Sequence, residues 1–440
     1  MKSEEQPNQT FEQQRLVQVH ELRKAVLESL DPTEAVSMSA KELEFSIYQN
    51  LSRLAQESKV TISMRDQQLL TKELMDDILG LGPLEPLIRD ANVSDIMVNG
   101  PDQVYVEKFG KIQITDVKFR NQEHVHNVAQ RIASAVGRRI DEASPMVDAR
   151  LEDGSRVNVI APPLSLSGTV ISIRKFSKKT LSLDIMAQQE NLSDDMAELL
   201  ASYVSCKLNV LVSGGTGAGK TTLLNALSKH IGNDERLITI EDAAEIQLQQ
   251  PHVISLETRS ASVEGSGQVN QTDLVKNALR MRPDRILLGE VRGEEVFDML
   301  QAMNTGHDGS LSTVHANTPA DALVRLENMM SMSQSKLSSD FVRKQIASSI
   351  DVIVQVERCR DGVRRITEIT EISGYREGEF DIQTQFKFVN SGEISDDRLV
   401  GEFICKSNNT CKADKLTNGG QLRQVQALLS QSYEAAQNAG

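Results

Sequence analysis

Residues 209–221 read NVLVSGGTGAGKT. The apolar run 210–212 has the make-up of a buried strand, and Leu223, Leu224, Ala226 and Leu227 behind it carry the spacing of a helix lying on a sheet. Between them stand glycines at 214, 215, 217 and 219. Lacking a Cβ, these residues let consecutive backbone amides turn inward as a nest around phosphate oxygens. A helix that starts at Lys220 adds partial positive charge at its N-terminus. Strand, glycine turn and helix together read as a phosphate-binding loop in an α/β fold. Gly214, Gly215, Thr216, Gly217, Ala218 and Gly219 form the cradle. Lys220 can reach the β- and γ-phosphates, and the Thr221 hydroxyl can sit on Mg2+, with Thr222 beside it. A chance lysine after a glycine turn would need neither the strand before nor the helix behind.

Downstream the alternation continues. Strand-like runs at 237–241, 285–288 and 309–313 are separated by a long loop and by helical patterns at 273–280 and 294–304, which argues for a parallel sheet with crossover helices. Helices at 319–330 and 338–348 precede two further strand-like runs, 352–356 and 365–372. Residues 391–418 are polar and turn-rich, and 421–436 read as a closing helix.

Three stretches in this half supply chemistry. RILLGE (285–290) is an apolar strand ending in Glu290, an acid placed to orient or activate a water beside the phosphates. ITIEDAAE (238–245) puts Glu241, Asp242 and Glu245 at a strand end, where three carboxylates need a cation or solvent. A solvated turn is the plain reading; with a phosphate loop upstream, a role around Mg2+ or the water is the sharper one. TGHDGSLSTVHAN (305–317) flanks a short strand with His307 and His315. A lone histidine is usually a satisfied core or surface residue, but this pair is expected to sense a γ-phosphate by hydrogen bonding.

Upstream, residues 1–10 are polar, and three helical patterns come after them, from Phe11 to Leu30, over Leu43, Ile47, Leu51 and Leu54, and over Leu69, Leu70, Leu74 and Ile78. At Gly80 the texture changes to short strands (94–99, 104–108, 111–114), a helix (123–137) and more strands (149–151, 156–160, 170–175). The expected organisation is a helical segment 1–79, an α+β domain 80–178, a linker 179–190, an α/β nucleotide-binding domain 191–375 and a C-terminal extension 376–440.

The 440 residues suit about three domains at roughly 150 residues each. Charge is 48 − 62 = −14, against a protein whose main task is neutralising nucleic-acid phosphates. No signal peptide or membrane span is read, so a cytoplasmic protein is expected, with any membrane role through a partner. The four cysteines (206, 359, 405, 411) show no CxxC pair and read as buried or idle thiols. With no Trp, the core must be aliphatic.

In order and spacing, GGTGAGKT, ITIEDAAE, LLGEVRG and TGHDGSLSTVHAN resemble the secretion and pilus-motor ATPases that power type II secretion, type IV pili and type IV secretion. The stretches LETRSASVEGSG, LRMRPDRILLGEVRG and DMLQAMNTGHDGSLSTVHANTPADALVRLE look most like the CpaF-like ATPases of Flp/Tad pilus assembly, as do GPLEPLIRDANVSDIMVNGPDQVYVEKFGK and LEDGSRVNVIAPPL upstream. The resemblance covers roughly residues 75–375. It implies ATP as ligand, a RecA-like core, a PAS-like α+β domain and a homohexamer acting on inner-membrane platform proteins; the excess of acid over base adds that no direct nucleic-acid contact is expected. Glu290 would serve the water, Glu241 and Asp242 would assist it, Glu241 standing near the metal, and His315 would sense the γ-phosphate. Arg156 (in DGSRVN) and Arg174 (in ISIRKF) would reach that phosphate, although from the residues alone both read as surface cations. Arg259, Arg280 and Arg292 also fall in matched stretches. Many members carry a four-cysteine zinc module; the scattered cysteines here predict no zinc. Two other readings share parts of this pattern. A type IV secretion ATPase for DNA or effector export uses every one of these residues. A non-hydrolysing nucleotide-gated scaffold is expected to lack the lysine or the acid.

Overall fold

A computed structural model of the chain describes residues 21–27, 29–30, 38–151, 153–176, 181–259, 267–333, 337–395 and 397–439. The chain divides into two compact units, 1–177 and 178–440.

In the first unit, α1 (Ala40–Glu57) is started by Ser39, whose side chain caps Glu42 N while Glu42 bonds back to Ser39 N. Leu43, Ile47 and Leu51 recur every four residues and so share one face. That face packs on Leu70 and Leu74 of α2 (Met64–Leu79) and on Leu22 and Val26 of the helical residues 21–27. The helix expected from Phe11 has its first half outside the described residues. The expected boundary at 79/80 falls inside this unit, because Asp77 near the end of α2 ties that helix to residues of the α+β region. Its carboxylate pairs with Arg23 and lies 3.6 Å from both Arg120 and His124, and its carbonyl accepts from Arg131. Burial opposes ionisation of Asp77, but the neighbouring His124 and the Arg23 guanidinium outweigh it and hold the carboxyl at about 2.

After a one-turn helix α3 (Glu85–Arg89) come β1 (Val93–Gly100), β2 (Gln103–Lys108), β3 (Lys111–Ile114), α4 (Gln122–Ala135), β4 (Met146–Arg150), β5 (Arg156–Ile160) and β6 (Val170–Arg174). The strands form one antiparallel sheet in the order β3-β2-β1-β6-β5-β4. Alternate residues Ile96, Val98, Val157, Val159, Ile171 and Ile173 point to one face, where Val125, Val128 and Ile132 of α4 cover them.

The second unit holds α5 (Leu183–Gln188), α6 (Asp194–Ser205), β7 (Val210–Gly214), α7 (Lys220–Ser228), β8 (Leu237–Glu241), β9 (Val253–Glu257), α8 (Gln271–Ala278), β10 (Arg285–Val291), α9 (Glu295–Asn304), β11 (Leu311–Val314), α10 (Pro319–Ser333), α11 (Ser339–Ser349), β12 (Val352–Arg358), β13 (Arg364–Arg376), β14 (Glu379–Ser395), β15 (Arg398–Cys405), α12 (Ala413–Asn418) and α13 (Leu422–Ala439). They build a nine-stranded sheet in the order β15-β14-β13-β12-β7-β11-β10-β8-β9. From β9 through β12 neighbours run parallel; β13, β14 and β15 are antiparallel. Val210 and Val212 join the core on one face with Leu223 and Leu227 of α7, while Leu211 joins the opposite core with Ile238 and Leu288. Apolar residues on both faces are what a parallel core covered by helices requires.

Four expectations change here. The long loop after β8 contains β9, which runs along β8 at the sheet edge and is only half-buried. The polar stretch 391–418 contains the far end of β14 and all of β15; both strands reach beyond the core, so their outer halves are exposed and carry little apolar alternation. The residues expected as a separate extension continue the central sheet, and Leu416, Val425 and Leu429 lie in the same core as Leu223. Leu183 and Met186 of the expected linker are buried there as well.

Candidate nucleotide site

β7 is buried along its whole length and delivers the phosphate loop at its carboxyl end. Gly214 leaves no room for a side chain, since a Cβ there would lie 2.5 Å from Val356 O on β12. Gly217 and Gly219 have φ of 69° and 99°, the left-handed region that side chains disfavour, and Gly219 is the residue from which α7 starts. Lys220 Nζ donates to Gly214 O at 3.0 Å and Gly215 O at 3.1 Å, so the ammonium lies folded onto the loop it serves. Thr221 and Thr222 come next in the first turn of α7, half-buried.

The two acids stand on parallel neighbours. Glu241 ends β8 and is 3% exposed. Its side chain crosses toward β10 at Gly289, where a Cβ would lie 2.8 Å from Glu241 Cγ. Oε1 accepts from Glu245 N at 2.8 Å and Ile246 N at 3.0 Å, and Oε2 is buried with no partner among the described residues. Burial, more than those two hydrogen bonds can offset, pushes this carboxyl up to about 7. A buried carboxylate oxygen without a donor among the described residues suits a cation with an oxygen preference such as Mg2+.

Glu290 lies on β10, partly exposed, and Asp242 just past β8. Arg292 joins them, donating from Nη2 to Glu290 at 2.7 Å and from Nη1 to Asp242 at 3.2 Å. The Glu290 hydrogen bond holds this guanidinium above its ordinary range. Thr258 Oγ1 also donates to Asp242. Arg259 donates to Gly267 O within its own loop.

β11 lies between β7 and β10, with Val314 opposite Ser213 and opposite Val291. His315 comes directly after, so it stands at the phosphate-loop end of the sheet. His307 does not: it precedes β11, in a turn whose Gly309 and Ser310 amides donate to Asn209 Oδ1 at 2.8 and 3.1 Å. Asn209 is the residue before β7, so this turn is at the amino end of the strands. The pairing of His307 with His315 as phosphate sensors is thereby corrected: β11 itself separates them.

In the first unit, Arg156 and Arg174 are directly opposite each other on β5 and β6, and Arg150 on β4 is opposite Arg156. Directly opposed residues share a sheet face, and Asp95 of β1 stands opposite Arg174 in the same row. The residue that sequence reasoning missed is Arg364, on β13. Its Nε donates to Gly217 O of the phosphate loop at 3.0 Å. Nothing in the local pattern signals a contact made across 147 residues.

A buried parallel strand, a glycine loop, a helix N-terminus and two acids on neighbouring strands define a P-loop nucleotide-binding protein. More particularly, the chain belongs to the type II/IV secretion system protein family, whose family model matches residues 77–413, and it is an ATPase of that superfamily. A Mycobacterium tuberculosis protein named for conjugal transfer is 39% identical over 340 residues, 76% of this chain and 95% of its own. The type IV secretion system protein VirB11 of Bartonella henselae is 32% identical over 325 residues, 66% of this chain and 91% of its own. Among solved structures, the Brucella suis VirB11 ATPase in complex with sulphate is 29% identical, covering 66% of this chain and 95% of that one, with a TM-score of 0.36.

Proposed function

We propose that this chain hydrolyses ATP by direct attack of water and drives a type IV secretion or conjugal-transfer apparatus, as a homohexamer acting on inner-membrane platform proteins. The observation that carries the chemistry is the meeting of Lys220, Glu241, Glu290 and His315 at the carboxyl ends of adjacent strands. The amides of residues 215–219 and the Lys220 ammonium bind the triphosphate. Thr221 and Glu241 hold Mg2+, which when bound neutralises phosphate charge. Glu290 orients the water, its carboxylate held in place by Arg292, which it shares with Asp242. His315 reads the γ-phosphate. Arg156 and Arg174, in a RecA-like ATPase with a PAS-like N-terminal domain, compensate charge developing on that group.

The cargo reading rests on the relatives, which are named for conjugal transfer and type IV secretion. A second reading, Flp/Tad pilus assembly, rests on the stretches around LETRSASVEGSG and LRMRPDRILLGEVRG. A scaffold without turnover is disfavoured because Lys220 and Glu290 are both present. The net charge of −14 disfavours direct handling of nucleic acid.

The test is steady-state ATPase activity of the purified chain. Lys220→Ala should abolish it, and Glu290→Gln should bind ATP but turn it over slowly. Normal turnover by Lys220→Ala, folded, would refute the site. Deleting the gene separates the cargo readings. Loss of DNA or effector transfer with pili intact supports the first, and loss of pili with transfer intact moves the assignment to the second.

A further inference from the structure

β12 pairs in parallel with β7 on the side away from β11, Val356 lying opposite Gly214. The acids and His315 are therefore all to one side of the phosphate loop, and the β12–β13 hairpin is on the other. Its turn reaches past the sheet end, Arg358 opposing Arg364 across it. There the Arg364 side chain lies along the loop: Nε donates to Gly217 O at 3.0 Å, and Cδ is 3.1 Å from where a Cβ on Gly219 would be.

We infer that Arg364 is a positioning residue for nucleotide binding, which sets the affinity for the phosphates common to ATP and ADP by fixing the Gly217–Ala218 peptide; this rests on the ATPase reading of the site. The reason is the planarity of the peptide. In a trans unit the C=O of one residue and the N–H of the next point in opposite directions within one plane. Drawing the Gly217 carbonyl outward onto a guanidinium turns the Ala218 N–H across the inside of the loop. It points to Gly215 O at 3.3 Å, a long bond that a phosphate oxygen can replace. Glycine at 217 makes this peptide otherwise free to rotate, so the loop needs an external anchor.

The anchor is itself held. Arg364 O accepts from Asn191 Nδ2 at 2.6 Å, and Ile366 N donates to Asn191 O at 2.8 Å. The hairpin turn is closed by Asp361, which accepts from Arg365, from Val363 N at 3.1 Å and from Leu399 N at 2.9 Å. Arg365 in turn stacks on Phe388 of β14, 5.2 Å from its ring centre. The C-terminal strands thus buttress the hairpin from which Arg364 reaches the loop.

The experiment measures ATP turnover, ADP affinity and melting temperature for the full chain and for Arg364→Met, Arg364→Lys and Arg358→Ala. Methionine keeps the stem over Gly219 and removes the donor; lysine keeps the charge without the planar Nε. Both should raise KM for ATP and Kd for ADP alike, by about tenfold, the scale of one charge-assisted hydrogen bond. They should leave kcat within about threefold, since an interaction equal in ground and transition states does not alter it. Melting without nucleotide should be unchanged because the side chain is exposed, and the stabilisation by ADP should shrink. Arg358→Ala should keep wild-type affinities. If Arg364→Met melts early without nucleotide, Arg364→Lys decides. Wild-type affinities in Arg364→Lys, or a fall in kcat at unchanged affinity, would overturn the proposal while leaving the ATPase reading intact. A wild-type chain that binds neither nucleotide would overturn both.

Discussion

Glu241 shows how much one side chain's surroundings add to its identity. A strand-ending acid is visible in ITIEDAAE, but its burial comes from β10 closing over it at Gly289. With the folded carboxyl near 7 and an ordinary value of 4.5, the sign is definite: the group favours the folded state while protonated. That contribution is complete below about pH 4.5 and is lost as pH rises through about 7, of order 3 kcal/mol in all. Glu241→Gln imitates the protonated acid. It should flatten this fall, melting higher than wild type at pH 8 and equally at pH 4.5 in nucleotide-free buffer. Parallel pH–melting curves for the two proteins would contradict the buried, cation-ready state. Glu290 was equally legible, but its partnership with Arg292 and Asp242 was not, because Asp242 arrives from another strand.

At the scale of elements, β10 is pinned at its amino end by Arg285, a fully buried residue. It forks onto Glu235 with two bonds of 2.7 Å and donates to Val204 O at 2.7 Å and Gly309 O at 3.3 Å. Burial would raise the Glu235 carboxyl, but Arg285 and Lys207 outweigh it and hold it below the usual range. Arg285→Ala should destabilise the unit by about 3 kcal/mol, the lower end for a broken buried pair, because Lys207 still lies 3.3 Å from Glu235. Chemical denaturation reads this directly; a loss under about 1 kcal/mol would mean the pair is idle. The strands with apolar runs, β7, β8 and β10, were legible because both faces are covered. β9 and the outer β14–β15 hairpin were not, because an edge or overhanging strand need not alternate.

At the scale of the molecule, the C-terminal residues belong to the core. Glu371 on β13 is buried and accepts from Tyr203 OH, Thr410 Oγ1 at 2.6 Å and Cys411 N at 2.7 Å. Truncation after Ser407 would strip two of those donors and uncover the sites of Leu416, Val425 and Leu429. At about 2 kcal/mol per buried side chain, the loss is about 6 kcal/mol, comparable with the whole stability of many domains. The truncated chain should aggregate or melt far below wild type; one that melts normally and hydrolyses ATP would make the extension dispensable. The arginine row belongs to this scale too. Arg156→Ala and Arg174→Ala should cut turnover by about 10³-fold and spare ADP binding, since ADP lacks the γ-phosphate. Steady-state rates with ADP titrations check this, and unchanged turnover in both variants would leave the row without a catalytic part.

The phosphate loop, its lysine and threonine, and the acids of the two neighbouring strands are determined by sequence alone, because each is a contiguous strand-and-turn whose chemistry is carried by consecutive residues. What only the tertiary structure decided are the relations made across the sheet. Strand direction sends His315 to the loop and His307 to the far end. Strand order lays β13 beside β12, and so brings Arg364 onto Gly217. Antiparallel register sets Arg174 opposite Arg156. Such contacts depend on which strands become neighbours, and that is settled by burying apolar faces over the whole chain rather than by any local run of residues.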